Sequence, residues 1–309
     1  MKDQQELIVL TSPPASGKTF WISSLHRTLN IPLLVISPLR ALADECKTTW
    51  GDSIKIVTPE EWMIKKNKNE VVIIDEFHLF FYWGDSFRPL LWEAFYELAL
   101  NSRLVVLLTA TLSNEMKSEI ALYHSQFDSI HWCDFGNQKL KFTPDLYLKA
   151  PSRRWLLKAM ENENANDGTK LVFCKYRQEV FDLENKLTDE GYNCITCVGG
   201  QSKMMALKLS QNPRPDFILS TTVLSHGVNL PSIRRIYFLY KVNNLDFWIQ
   251  MVARGGRKGE SFEVFAMEKP YQLKWNWWMN LIQVIFIGLR YKFSRRALLK
   301  AWLHIKMGS

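Results

Sequence analysis

Near the start of the chain, Ser12-Pro13-Pro14-Ala15-Ser16-Gly17-Lys18-Thr19 combines small side chains with a lysine and a hydroxyl. The segment follows an apolar run, LIVLTS (7–12), and opens a helical stretch. In that setting successive backbone N–H groups and a helix N-terminus can cradle phosphate oxygens, with Ser16 and Gly17 in the loop. Lys18 would bring a point charge to the β and γ phosphates, and the Thr19 hydroxyl would ligate Mg2+. Ser12 stands where the strict pattern has glycine, while Gly17-Lys18-Thr19 is intact. Downstream, Asp75-Glu76-Phe77-His78 directly follows VVII (71–74). An acid at a strand end can hold Mg2+ through water, and its neighbour can orient or deprotonate an attacking water. Such a pair after a phosphate loop predicts nucleoside-triphosphate binding, with Thr19 and Asp75 as the metal ligands.

These groups need elements that hold them at one edge of a sheet. LIVLTS (7–12), LLVISP (33–38), IKIVT (54–58), VVIIDE (71–76) and RLVVLLT (103–109) are short Val/Ile/Leu-rich runs separated by helical stretches. That pattern predicts parallel strands buried on both faces. It weakens through residues 137–151, where Gly136, Pro144 and Pro151 punctuate it, and resumes with KLVFC (170–174), YNCITC (192–197), DFILST (216–221) and RRIYFLY (234–240). The expected architecture is two α/β domains, residues 1–140 and 141–270, followed by a basic, aromatic helical tail over 271–309.

In chain order the motifs resemble those of superfamily-2 helicases of the DExH type. DEFH resembles motif II, SPLRALADE (37–45) motif Ia, VTPEEW (57–62) motif Ib and LTATL (108–112) motif III. LVFCKYR (171–177), STTVLSHGVNLP (220–231) and QMVARGGR (250–257) resemble motifs IV, V and VI. The wording is closest to the branch containing DNA-repair translocases and RNA-exosome helicases. The resemblance implies two tandem RecA-like phosphate-loop domains and an ATP site with Lys18, Thr19, Asp75 and Glu76 on one wall. Arg254 and Arg257 would be arginine fingers from the other wall, with Gln250 and His78 coupling γ-phosphate state to closure. Gly227 would lie near the ribose, and Arg40, Thr58, Lys175 and Thr221 would hold the nucleic-acid backbone. The implied cofactors are ATP and Mg2+. The implied activity is ATP-driven movement on single-stranded nucleic acid, 3′ to 5′, with DNA favoured over RNA and weak base preference.

Departures from the family pattern keep two other readings open. Only 18 residues separate Pro231 from Gln250, too few for a strand-separating hairpin, and the tail stands where such helicases carry accessory domains. A nucleic-acid-stimulated ATPase that remodels complexes without unwinding is therefore the first alternative. A non-hydrolysing adaptor is the second, opposed by intact Lys18, Glu76, Arg254 and Arg257. With 11 residues ahead of Ser12, adenine selectivity rests on the resemblance alone; Phe20 and Trp21 are expected to pack in the first helix rather than stack on the base. Ala15 and Ala253 replace usual glycines, a change expected to be tolerated and riskier at Ala253 beside a finger.

Charge is concentrated at the end of the chain. The 309 residues carry a net +8, but residues 271–309 hold seven Lys or Arg and no acid, leaving +1 for the rest. Four of the 12 tryptophans lie in that tail, which suits a single-strand platform, packing of its apolar face, a membrane-surface helix or a docking helix for a loader protein. The apolar run 281–289 is shorter than the roughly 20 residues a membrane span needs. Five scattered cysteines, including the lone pair Cys194 and Cys197, suit reduced thiols in a cytoplasmic protein rather than a zinc site. The aromatic stretch LFFYWGDSFRPLLW (79–92) would pack between sheet and helix or act as a strand-facing wedge.

Overall fold

The computed structural model describes residues 5–29, 32–40, 43, 47, 50, 54–86, 88–165, 167–199, 201–222 and 230–268. The chain divides into two compact units, Met1–Lys141 and a second that opens at Phe142. The first is built on strands β1 (Glu6–Thr11), β2 (Leu33–Ile36), β3 (Lys55–Val57), β4 (Asn69–Ile74), β5 (Ser102–Thr109) and β6 (Ser129–Asp134). All pairings are parallel, in the order β3-β2-β4-β5-β1-β6. Its helices are α1 (Lys18–Leu29), α2 (Pro59–Lys65), α3 (His78–Gly84), α4 (Leu90–Asn101) and α5 (Asn114–Leu122).

The continuous apolar runs reflect two buried faces. Leu34, Ile36, Val72, Ile74, Val105 and Leu107 point to one core with Phe80, Phe95 and Met116 from α3, α4 and α5. The alternate residues Leu33, Val35, Ile73, Val106 and Leu108 point to the other, with Ile22 from α1. Period-2 alternation thus places every residue of a strand such as LLVI against protein. Burying each large aliphatic contributes about 1.5–3 kcal/mol, and Ile73→Ala in the central sheet would cost about 2–5 kcal/mol.

The aromatic stretch after β4 packs, as its bland reading expects. Leu79, Phe80 and Leu91 are fully buried. The Phe77 ring lies 5.4 Å from Phe95 and 5.7 Å from Phe80, and the Trp92 indole stacks on Tyr123 at 6.1 Å while its N–H donates to Asp85 Oδ1 at 2.8 Å. The opposite holds for Phe20 and Trp21. Expected to pack, they are 71% and 37% exposed. The helical period turns positions 20 and 21 away from the face that buries Ile22.

The second unit repeats the plan with β7 (Leu146–Lys149), β8 (Thr169–Phe173), β9 (Cys194–Cys197), β10 (Phe217–Ser220), β11 (Ile233–Phe238) and β12 (Glu263–Ala266). They run parallel in the order β7-β12-β11-β8-β10-β9. Helices α6 (Arg153–Glu161), α7 (Arg177–Asp189), α8 (Ser202–Gln211) and α9 (Leu245–Val252) accompany them. Leu156 and Met160 of α6 and Val180 and Leu187 of α7 meet Val172, Leu219, Tyr237 and Phe265 of the sheet. Burial pushes the Cys194 and Cys197 thiols up to about 12 and about 11, which makes both poor thiolates.

At the amino edge of this sheet lies a buried ionic cluster. Arg235, 1% exposed, donates to Glu163, to Glu263 Oε2 at 2.6 Å, and lies 3.6 Å from Asp167. Tyr237 also donates to Glu163, while the fully buried Lys170 ammonium donates to Asn164 O at 2.5 Å and sits 3.9 Å from Glu163. Desolvation holds Lys170 below the usual lysine range, against the pull of Glu163 and Asp167.

No described helix is long and apolar enough to cross a membrane. Residues 271–309, with the expected tail helices, lie outside the described residues, as do Gly227 and the Thr19 side chain.

Candidate functional site

All six strands of the first sheet end at one edge, and the loops leaving that edge carry the polar groups. Between β1 and α1, Ser12 N–H donates to Thr109 O at 3.1 Å, which fastens the loop to β5. The Ser12 and Ser16 hydroxyls meet across it at 2.8 Å, and Ser16 N–H donates to Pro13 O at 3.2 Å. Ala15 (φ 59°) and Gly17 (φ 95°) turn the chain through left-handed backbone. Gly17 carries no penalty there, whereas Ala15 costs about 1–2 kcal/mol. Ala253 has φ −66° and none. Lys18 Nζ bends back over the loop to Ser12 O (3.3 Å) and Pro13 O (3.4 Å), two weak neutral acceptors that phosphate oxygens would replace.

The segment 134–141 closes the far side of this loop. Phe135 N–H donates to Thr11 O at 2.8 Å, Gln138 N–H to Ala110 O at 3.2 Å, and Lys141 Nζ to Ala15 O at 3.2 Å.

The acids stand two strands away. Asp75 N–H donates to Ile36 O, and the buried carboxylate accepts from Glu76 N–H at 2.9 Å. Glu76 itself holds left-handed backbone, φ 49°, a strained conformation that aims its carboxylate. Burial, and then the Glu76 carboxylate, push the Asp75 carboxyl up to about 7, while Lys18 pulls the other way. Glu76 Oε2 lies 3.4 Å from Nδ1 of the fully buried His78. That same nitrogen is 3.1 Å from Thr109 Oγ1, which in turn donates to Thr111 O at 2.8 Å. His78 thus joins the acid pair to the LTATL segment.

In the second unit, Asn244 caps α9 by accepting from Asp246 N–H and Phe247 N–H at 2.9 and 3.1 Å. This helix buries Gln250, whose Nε2 has no hydrogen-bond partner among the described residues, an arrangement worth about 1–3 kcal/mol against stability. Arg254 follows one turn later, 3% exposed, and Arg257 Nε donates to Ala253 O at 3.5 Å. The intervening Gly255 lies flat on the Phe262 ring, where a Cβ could not fit. Both arginines therefore leave a rigid turn.

The residues expected to grip nucleic acid differ in availability. The Arg40 side chain is 74% exposed and 3.9 Å from Glu61. Thr58 is buried and caps α2, its Oγ1 accepting from Glu61 N–H at 3.3 Å while Glu61 Oε2 accepts from Thr58 N–H at 3.0 Å. Lys175 is exposed, and the Tyr176 hydroxyl beside it holds its ammonium above the usual lysine range. Thr221 is half-buried, its carbonyl accepting from Ser220 Oγ at 2.7 Å. Sequence reasoning passed over Arg88. Its guanidinium donates to Pro38 O at 2.7 Å and Glu60 Oε1 at 2.5 Å, tying the loop after β2 to α2. Nothing local to residue 88 signals this, because its partners lie 50 and 28 positions away.

Residues 152–259 match the family model described as "Helicase conserved C-terminal domain". The chain is similar to the ATP-dependent RNA helicase DBP3 of Saccharomyces cerevisiae, 24% identical over 109 residues, covering 34% of this chain and 21% of that protein. It is also similar to the ATP-dependent DNA helicase RecQ of Haemophilus influenzae, 21% identical over 243 residues, covering 76% of this chain and 38% of that one. The chain thus spans between about a fifth and two fifths of the length of these relatives. Among solved structures, S. cerevisiae Dbp5 bound to RNA and ADP BeF3 matches with a TM-score of 0.69 at 14% identity, covering 94% of this chain and 84% of that one. The fold is accordingly that of tandem RecA-like helicase domains.

Proposed function

We propose that the chain is an ATP-driven motor on single-stranded nucleic acid, of the DExH type, moving 3′ to 5′. The observation that carries the reading is the shared sheet edge of the first unit: phosphate loop, crowded acid pair and His78–Thr109 link, all at the carboxyl ends of parallel strands. Open α/β sheets bind ligands at that edge. The donor set fits a divalent cation, since a buried carboxyl pushed up to about 7 by a second carboxylate is relieved by positive charge. Thr19 and Asp75 would hold Mg2+, which when bound neutralises the β and γ phosphate oxygens.

In this reading Lys18 and the loop N–H groups hold the triphosphate. Glu76 takes the proton of the water that attacks the γ-phosphorus, as the bond to the departing ADP oxygen breaks. Arg254 and Arg257 stabilise the charge that develops on the transferred group. Gln250, buried with a donor that finds no partner among the described residues, is the coupling group of the same segment. Gly227 serves the ribose, and Arg40, Lys175 and Thr221 follow the nucleic-acid backbone, while Thr58, buried as the cap of α2, positions that helix. DNA is favoured over RNA, supported by the DNA helicase aligned over 76% of this chain. The basic tail 271–309 adds affinity or receives a loader protein.

One observation supports the alternative of an ATPase that remodels complexes without unwinding. Between Pro231 and Gln250 the chain forms β11, a turn and the start of α9, with no hairpin. A DNA duplex with a 3′ single-stranded tail, incubated with ATP, separates the two. Strand release supports the unwinding motor. Displacement of streptavidin from the tail without strand release supports the remodelling ATPase. Neither event, with turnover intact, contradicts directional movement.

A further inference from the structure

We propose that Tyr176 is a stacking platform for one base of the single strand, with Lys175 beside it for the adjoining phosphate. The inference rests on the nucleic-acid reading above and adds to it a base contact beside Lys175, for which only a backbone contact was expected.

Three neighbouring strands, β8, β10 and β9, end together, with Phe173, Ser220 and Cys197 in register. Their outgoing loops are cross-tied: Cys174 N–H donates to Ser220 O at 2.8 Å, Ser220 Oγ to Cys197 O at 2.7 Å, and Arg177 Nη2 to Gly199 O at 3.0 Å. Tyr176 leaves this edge from a fixed backbone. Glu179 Oε2 accepts from both Lys175 N–H (3.0 Å) and Tyr176 N–H (3.2 Å), and Arg153 holds Glu179 at 2.9 Å. The ring is nevertheless 58% exposed, with Lys175 Nζ 5.1 Å from its centroid.

Scattered exposed aromatics are ordinary. This one differs in being held rigidly, in sitting at the strand edge that also carries Thr221, and in its charge setting. Lys175 lies against the ring and Arg177 follows it in the chain, while Glu179 is engaged by Arg153. An exposed aromatic face on a fixed backbone, with an ammonium beside it, fits a nucleobase and its phosphate. Any base offers a π-face, so the contact carries little sequence preference.

The test uses the full chain and fluorescence anisotropy with two probes, a labelled oligothymidylate and an abasic oligomer of equal length. The unmodified chain should bind oligothymidylate more tightly than the abasic strand, and Tyr176→Ala should weaken oligothymidylate binding about tenfold while leaving the abasic affinity unchanged. Tyr176→Phe should retain the preference. Lys175→Gln should instead lower the slope of log Kd against log salt by about 0.7, with Tyr176→Ala leaving that slope unchanged. If Tyr176→Ala weakens both probes equally, or neither, the stacking role is overturned and the nucleic-acid reading stands. If the unmodified chain binds neither probe, the nucleic-acid reading fails and this inference with it.

Discussion

Each unit buries one acid beside a second, half-buried one, and the two solutions are opposite. Glu163 in the second unit receives hydrogen bonds from Arg235 and Tyr237, with the Lys170 ammonium 3.9 Å away. Among the described residues, Asp75 in the first unit accepts the Glu76 N–H beside a second carboxylate, and its carboxyl is driven up to about 7. The first arrangement is closed: opposite charges and donors account for the burial, and it lies at the amino edge of its sheet. The second is open, at the carboxyl edge beside the 12–19 loop proposed to hold phosphate, and would be relieved by positive charge. Burial of acids alone does not mark a site; an excess of negative charge facing a ligand edge does.

The comparison breaks most sharply when one charged group is removed from each cluster. Glu76→Gln should lower kcat by about 10³-fold while nucleotide binding and melting temperature persist, read by steady-state turnover and a binding titration. In the closed cluster, Arg235→Ala should strand Glu163 and cost about 3–5 kcal/mol, read as an earlier transition of the second unit in urea. A loss below about 1 kcal/mol would mean that the cluster is not a closed one. Arg257→Ala should reduce kcat by about 10²-fold in steady-state turnover, since it removes a charge partner of the transition state.

The smallest effect concerns pH. A carboxyl whose pKa is raised to about 7 from 3.8 holds its proton more tightly in the folded chain. Its contribution to stability is complete below about pH 4 and is lost as the pH rises through about 7. Asp75→Asn avoids that loss, so it should be more stable than the unmodified chain at pH 8 by on the order of 2 kcal/mol and no more stable at pH 4. Equal unfolding curves at pH 8 would show that Asp75 is not held against its charge.

Much of this was legible in the sequence, for physical reasons that also explain the exceptions. LLVI and VVII announce strands because both sheet faces are buried, and Gly17-Lys18-Thr19 and Asp75-Glu76 are local patterns with local geometry. Three strands escaped. SIHWCD of β6 is an edge strand with exposed His131 and Trp132, LYLK of β7 lies between prolines, and EVFA of β12 mixes Glu263 and Ala266 into too short an apolar run. Phe20 and Trp21 misled because apolarity was weighed without helical phase. Arg88 and the Arg235–Glu163 cluster could not be read at all. Their partners are brought together by sheet order, which no short window contains.

The most direct test of the central claim is steady-state ATP hydrolysis with Mg2+, first without nucleic acid and then with single-stranded DNA or RNA of equal length, alongside Glu76→Gln. The account predicts strong stimulation by the single strand, greater with DNA, and none in Glu76→Gln. Turnover that is absent with either polymer, or equal in the unmodified chain and Glu76→Gln, would contradict it.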